Sequence, residues 1–229
     1  LGCDSINYNV GYAQMGRGKT ERTGANALAG IASTVSRLAF DACLYNSQNF
    51  GFIKLPDQYT TGSSIMPHKK NPDVFELTRA KCNRLQSLPY QITMILNNLP
   101  SGYFRDMQLI KEAFVPAFDE LKSIRNMVNA MLSEIKVNTD VAQDDRYKFM
   151  FSVEEVNRLT REGMPFRDAY KKVGLDIEAG RFEPVKEVHH THEGSIGNLC
   201  NDRIEALFAK TLKAFRFDEY HRAIDALLK

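Results

Sequence analysis

The stretch Thr61-Gly62-Ser63-Ser64-Ile65-Met66-Pro67-His68-Lys69-Lys70-Asn71-Pro72-Asp73 decides how the chain is read. Its Gly-Ser-Ser turn offers flexible backbone N–H groups and two hydroxyls. Two lysines and an asparagine follow within a few residues. Asn71-Pro72-Asp73 reads as a helix start, with Asn71 as N-cap, Pro72 at the first helical position and Asp73 acidic in the first turn. Glu76 lies one turn further in. A donor-rich cationic loop that feeds a helix N-terminus suits a small anion. The G-x-x-x-x-G-K-[ST] spacing of a nucleotide-binding loop is absent. The plain alternative is a solvated basic connection between two helices.

Outward from the loop, the pattern is helical. Leu28, Ile31, Val35, Leu38, Ala42 and Tyr45 recur at steps of three and four and predict a helix over about 23–48. Few charges interrupt it, so burial on more than one side is expected. Downstream, Leu77, Ala80, Leu85, Leu88, Ile92 and Ile95 predict a helix that Pro89 kinks or splits. Residues 97–102 break it. Ile110, Phe114, Ala117, Leu121, Ile124, Val128, Met131 and Ile135 predict a third helix over about 105–136, on the order of 45 Å long. Helices of this length suggest an elongated bundle whose seams meet other chains or other segments. After Asn138 the pieces shorten. Ser152-Val153-Glu154-Glu155 reads as a capping box, with stops expected at Gly163 and Gly174 and a start at Pro165. Residues 1–22 read as an irregular connection. No strand pattern stands out. The expectation is an all-α fold of two parts, a long-helix region over 1–140 and a small helical domain over 141–229.

Composition narrows the function. The 229 residues are 43% apolar and 25% charged, with a net charge of +2. Such a balance argues against a polyanionic partner. A nucleic-acid surface would need clustered basic residues, and Lys69, Lys70, Arg79, Lys81 and Arg84 read better as a small-anion environment or a solvated face. Four dispersed cysteines without a C-x-x-C pair fit reduced thiols in a cytoplasmic protein. No apolar run reaches membrane-spanning length and no signal peptide is visible. The chain opens at Leu1 and is expected to be part of a longer polypeptide.

A serine hydroxyl is a poor base unless N–H groups and cations stabilise its alkoxide. Ser63 in this loop has both nearby and would abstract a carbon-bound proton. Lys69 and Asn71 would hold the neighbouring carboxylate and the doubly negative aci-carboxylate that forms, beside the second hydroxyl at Ser64. A second group is Tyr103, Gln108 and Lys111, the last two one helical turn apart. Arg17 or Lys19 is a further candidate for a substrate carboxylate. His189, His190 and His192 with Glu193 lack the i, i+4 spacing of helical zinc motifs and read as a surface or interface loop, so no metal is expected.

The pattern G-S-S-x-M-P-x-K-x-N, met by Gly62, Ser63, Ser64, Met66, Pro67, Lys69 and Asn71, resembles the signature loop of the fumarase/aspartase superfamily. Within it, the run from Leu99-Pro100 through Tyr103, Asp106-Met107-Gln108 and Lys111-Glu112 resembles the argininosuccinate lyase family, as does Gly163-Met164-Pro165-Phe166-Arg167. The resemblance implies Ser63 as catalytic base and Lys69 and Asn71 in substrate and intermediate binding. It implies Glu76 as partner of a catalytic histidine, and Tyr103, Gln108 and Lys111 as substrate ligands. The implied reaction is β-elimination of argininosuccinate to arginine and fumarate without a cofactor, in a homotetramer with sites shared between subunits. The family's catalytic histidine lies in a Thr-His-Leu-Gln-like motif that this sequence lacks, so the chain is expected to be inactive alone. Rival readings are an adenylosuccinate lyase, a non-catalytic crystallin-like relative, and a helical interaction module.

Overall fold

The computed structural model describes residues 5–62, 64–186, 188 and 190–228. It is predominantly helical, in two compact units, one of Asn7–Thr139 and the other of Asp140–Lys229 together with Leu1–Ile6. The first unit opens with a short helix, α1 (Val10–Met15), inside the stretch expected to be irregular. Asn9 caps it, its side-chain oxygen accepting from the Tyr12 N–H at 2.8 Å.

Helix α2 (Lys19–Tyr45) starts four residues before its expected start. Gly18 sits in front of it at φ 84°, and its N–H donates to Glu21 Oε2 at 2.8 Å. The buried face of α2 is Ala25, Leu28, Ala32, Ala39 and Ala42. This corrects the expected seam, because Ile31 remains 53% exposed and Leu38 and Tyr45 are exposed as well. Small residues let α3 approach closely, so the alanine stripe forms the contact and the larger residues are left on the flanks. By length and composition alone the stretch Val10–Tyr45 would pass as apolar enough to cross a membrane, as core helices of bundles also do. The turn at Gly16-Arg17-Gly18 divides it into α1 and α2, and α2 packs as a bundle helix.

Helix α3 (Asp73–Leu85) buries Phe75, Thr78, Cys82 and Leu85, and α4 (Leu88–Leu96) buries Leu88 and Ile92. The split falls where Pro89 predicts it, the proline occupying the first turn of α4. Leu77, expected on the seam, is exposed, since the face that carries Phe75, Thr78 and Cys82 meets the core instead. Helix α5 (Ile110–Glu134) follows a 3-10 turn over Arg105–Leu109 and buries Ile110, Ala117, Leu121, Ile124, Val128 and Met131, as its periodicity predicts. Pro116 lies on its exposed side.

Two short strands, β1 (Ile53–Lys54) and β2 (Lys136–Val137), pair antiparallel, with Ile53 opposite Val137. They correct the strand-free expectation and tie the end of α5 to the end of α2. At the other end, Phe114 near the start of α5 lies beside Gly24 near the start of α2. Thus α2 and α5 run in the same direction and α3–α4 returns between them. Two buried clusters fill the unit, one around Leu28, Ile92, Ile110 and Leu121, the other around Ala42, Leu55, Phe75 and Met131.

In the second unit, α6 (Ser152–Arg161) and α7 (Phe166–Glu178) pack through Val156, Leu159, Ala169 and Val173, with Phe182. Ser152 is the first residue of α6 and caps nothing, while Glu155 binds Arg158 at 2.6 Å, so the capping box is not formed. Helix α7 runs through Gly174, where a stop was expected. Val173 and Ile177 pack on either side of it, which outweighs a glycine cost of about 1 kcal/mol. The reversal comes at Gly180, φ 67°. Helices α8 (Asn201–Lys213) and α9 (Phe217–Leu227) bury none of their described residues.

Candidate active site

The signature loop is closed at its neck. The Asn71 N–H donates to the Thr61 carbonyl at 2.8 Å, and the Thr61 N–H donates back to the Asn71 carbonyl at 3.3 Å. The Thr61 hydroxyl donates to the Asp73 carboxylate in the first turn of α3. Asn71 is therefore a ladder residue and not the N-cap. Pro72 takes the cap position, its carbonyl accepting from the Phe75 and Glu76 N–H groups at 2.9 and 3.0 Å. The bridge needs both the N–H and the carbonyl of Asn71, which shifts the helix boundary by one residue.

The loop is also held at its foot. Lys70 forms an ion pair with Asp57, in the 3-10 turn Asp57–Tyr59. The same turn reaches the end of α5 through Gln58, whose amide donates to Glu134 at 2.7 Å. The Lys70 ammonium holds the Asp57 carboxyl below the ordinary carboxylate range, by hydrogen bonding first and charge second. Neither Asp57 nor Thr61 was singled out in the sequence, because nothing in their spacing links them to the lysine and the aspartate they bind.

Ser63 lies outside the described residues. Ser64 and Lys69 are exposed, and Asn71 is half-buried. Lys69 and Asn71 line a cleft of about 590 Å³ with Met66, His68 and Lys70 from the loop, and with Cys43 and Asn46 from the end of α2. Burial pushes the Cys43 thiol up, Arg79 counteracts this, and Glu76 adds to it. Glu76, in the first turn of α3, is exposed and is not among the residues that line this cleft.

The second expected group assembles separately. Tyr103 follows the break after α4, Gln108 comes from the 3-10 turn and Lys111 from the first turn of α5. All three come together, and Arg17 joins them with its guanidinium 5.3 Å from the Tyr103 ring centroid. Arg17 and then Gln108 act as donors toward the phenol and, with the charges of Arg17 and Lys111, hold its pKa below the usual value. Beside them a cleft of about 310 Å³ is lined by Arg17, Lys19, Arg22 and Leu99–Gly102.

These two groups sit at opposite ends of α2. Arg17 and Tyr103 are at its start, while Cys43 and the loop are at its end, about 36 Å apart between Lys19 and Cys43 at ~1.5 Å per residue. One copy of the chain therefore cannot bring Lys69 and Tyr103 to the same small molecule.

In the second unit His190 Nε2 lies 3.0 Å from Glu154 Oε1, and the rings of His190 and His192 stack at 5.2 Å. His189 lies outside the described residues. Among the described residues no group of three or more His, Cys, Asp or Glu side chains gathers to hold a metal ion.

A lyase family model matches residues 23–87. Argininosuccinate lyase from Bacteroides fragilis strain ATCC 25285 is 71% identical over 228 residues, covering 100% of this chain and 51% of that protein. Argininosuccinate lyase from Xanthomonas campestris pv. campestris is 39% identical over 209 residues, covering 90% and 48%. The chain spans about half the length of the curated relatives it matches. Among solved structures, a class II fumarase from Schistosoma mansoni superposes with a TM-score of 0.65 at 20% identity, over 77% of this chain and 36% of that one. An EDDS lyase in complex with formate gives 0.65 at 22% identity, over 79% and 37%. These two likenesses speak for the fold.

Proposed function

The chain belongs to the fumarase/aspartase lyases and corresponds to the C-terminal half of argininosuccinate lyases, and from that premise we propose that it supplies part of the active site that splits argininosuccinate into arginine and fumarate. The observation that carries this reading is the intact signature loop, closed at Thr61 and Asn71 and presenting Lys69 and Asn71 to one cleft.

Ser63 takes the proton from the succinyl carbon next to a carboxylate. Lys69 and Asn71, with Ser64, hold that carboxylate as it gains a second negative charge. The carbanion's electron pair forms the fumarate double bond, the C–N bond breaks, and the guanidino nitrogen leaves as arginine after taking up a proton. Glu76 pairs with a histidine from a segment outside this chain. Tyr103, Gln108 and Lys111 bind substrate at the other end. No cofactor enters, since these steps move only protons and the electrons of one broken bond.

Because the two groups lie about 36 Å apart along α2, a complete site draws on several copies, and a homotetramer is the assembly we favour. Exposed apolar side chains on α2 and α5, among them Ile31, Phe118 and Leu132, fit a contact between copies. A cytoplasmic setting fits the free thiols of Cys43, Cys82 and Cys200.

The test is fumarate release from argininosuccinate, with adenylosuccinate in parallel. It compares the chain alone with the chain fused behind the N-terminal half of the Bacteroides fragilis relative. Release by the fusion from argininosuccinate only is expected. Release from adenylosuccinate would move the reading to that lyase, and silence with both would remove it.

A further inference from the structure

Arg17 sits in the tight turn between α1 and α2, next to Gly18. Gly18 adopts φ +84°, and a Cβ there would come within 2.5 Å of Leu96 at the end of α4. The turn is thus clamped against the point where α4 ends and the segment to Tyr103 begins. From it, the Arg17 guanidinium reaches over the Tyr103 ring at 5.3 Å from the centroid. The acidic group facing Arg17 is Glu21, 3.8 Å away, whose other oxygen accepts from the Gly18 N–H at 2.8 Å. Lys19 turns toward the Tyr12 ring instead, 5.6 Å from its centroid.

We propose that Arg17 is a positioning residue for Tyr103, its guanidinium against the ring holding the side chain toward a carboxylate of the ligand. This deepens the lyase reading and rests on it for the identity of the ligand. Tyr103 is itself exposed, so its O–H is open to an acceptor from a ligand. An ionised carboxylate accepts only, and the surrounding charges favour it: Lys111 from α5, and Arg17, Lys19 and Arg22 along the adjoining cleft. Arg17 and Gln108 lower the phenol's pKa, Arg17 most. Arg17 was expected from the sequence as a possible direct carboxylate ligand. Its engagement with Tyr103 and Glu21 gives it the indirect role instead.

The test uses Arg17→Met, which removes charge and donors at similar length, and Arg17→Lys, which keeps the charge. In the 229-residue chain labelled at tyrosine Cζ, the Tyr103 resonance is identified by its loss in Tyr103→Phe and titrated by NMR. Arg17→Met should raise the Tyr103 phenol pKa, and Arg17→Lys should return part of the shift, with helicity unchanged in both. A Tyr103 titration that Arg17→Met leaves unmoved overturns the proposal. In the Bacteroides fragilis fusion, Arg17→Met should raise KM for argininosuccinate on the order of tenfold with kcat within about twofold. A fall in kcat at unchanged KM would overturn it too. If the unsubstituted fusion releases no fumarate, the lyase reading fails on its own, while the phenol titration still judges the Arg17–Tyr103 pair.

Discussion

Lys70 shows how a residue next to an expected ligand gains its own task. Its neighbour Lys69 lines the cleft as a free cation would, while Lys70 is committed to Asp57 at the foot of the loop. Asp57 has a carboxyl pKa below its ordinary value because Lys70 favours the charged form. A lowered folded-state pKa means the anchoring is fully present above the ordinary carboxylate pKa and is lost as pH falls through the lowered value. Asp57→Asn should therefore loosen the loop at neutral pH and abolish that acid dependence. Hydrogen exchange at the Asn71 amide, corrected for intrinsic rates, would report it, and unchanged protection would count against the anchor. In the fusion protein, Ser63→Ala should remove fumarate release and leave the helical signal intact. Normal turnover would sink the base assignment. The residue types of the loop were legible in the sequence because seven fixed positions fall in one short run. Asp57 and Thr61 were not, because their partners are chosen by how the chain folds back.

At the scale of the element, periodicity served α5 better than α2. In α5 one apolar stripe faces one core, and all its buried positions lie on the expected seam. In α2 two stripes compete, and the alanines win because α3 needs a close approach. Ala32→Leu should then destabilise the unit by ~1–3 kcal/mol through overpacking, read as a lower thermal midpoint. Ile31→Ala, on the exposed flank, should cost less than about 0.5 kcal/mol in an isolated chain. Glycines divide in the same way. Gly174 lies inside α7 with open space around it, so Gly174→Ala should stabilise by about 0.5–1 kcal/mol. Gly180 at φ +67° should not tolerate the same change, and equal melting shifts for the two variants would refute the distinction.

For the whole molecule, the length of α2 sets how far apart the two groups lie. A helix of 27 residues separates the loop from the Tyr103 group too far for one ligand to touch both. The proposed sharing of sites between copies has a testable consequence. Two inactive fusion variants, Lys69→Ala and Tyr103→Ala, should regain activity when refolded together, since some mixed sites take an intact loop from one copy and an intact Tyr103 group from another. Mixtures no more active than either parent would argue that each site comes from a single copy.

The sequence alone determined the helical class, the course of α5, the break at Pro89 and the chemical character of the loop, because each depends on residue type and local spacing. Only the tertiary structure decided which stripe of α2 is buried, that Asn71 closes the loop and leaves the cap to Pro72, that Arg17 lies against the Tyr103 ring, and that the two groups lie at opposite ends of one helix. These outcomes depend on which segments meet across the fold, and contacts between distant residues carry no periodic signature along the chain.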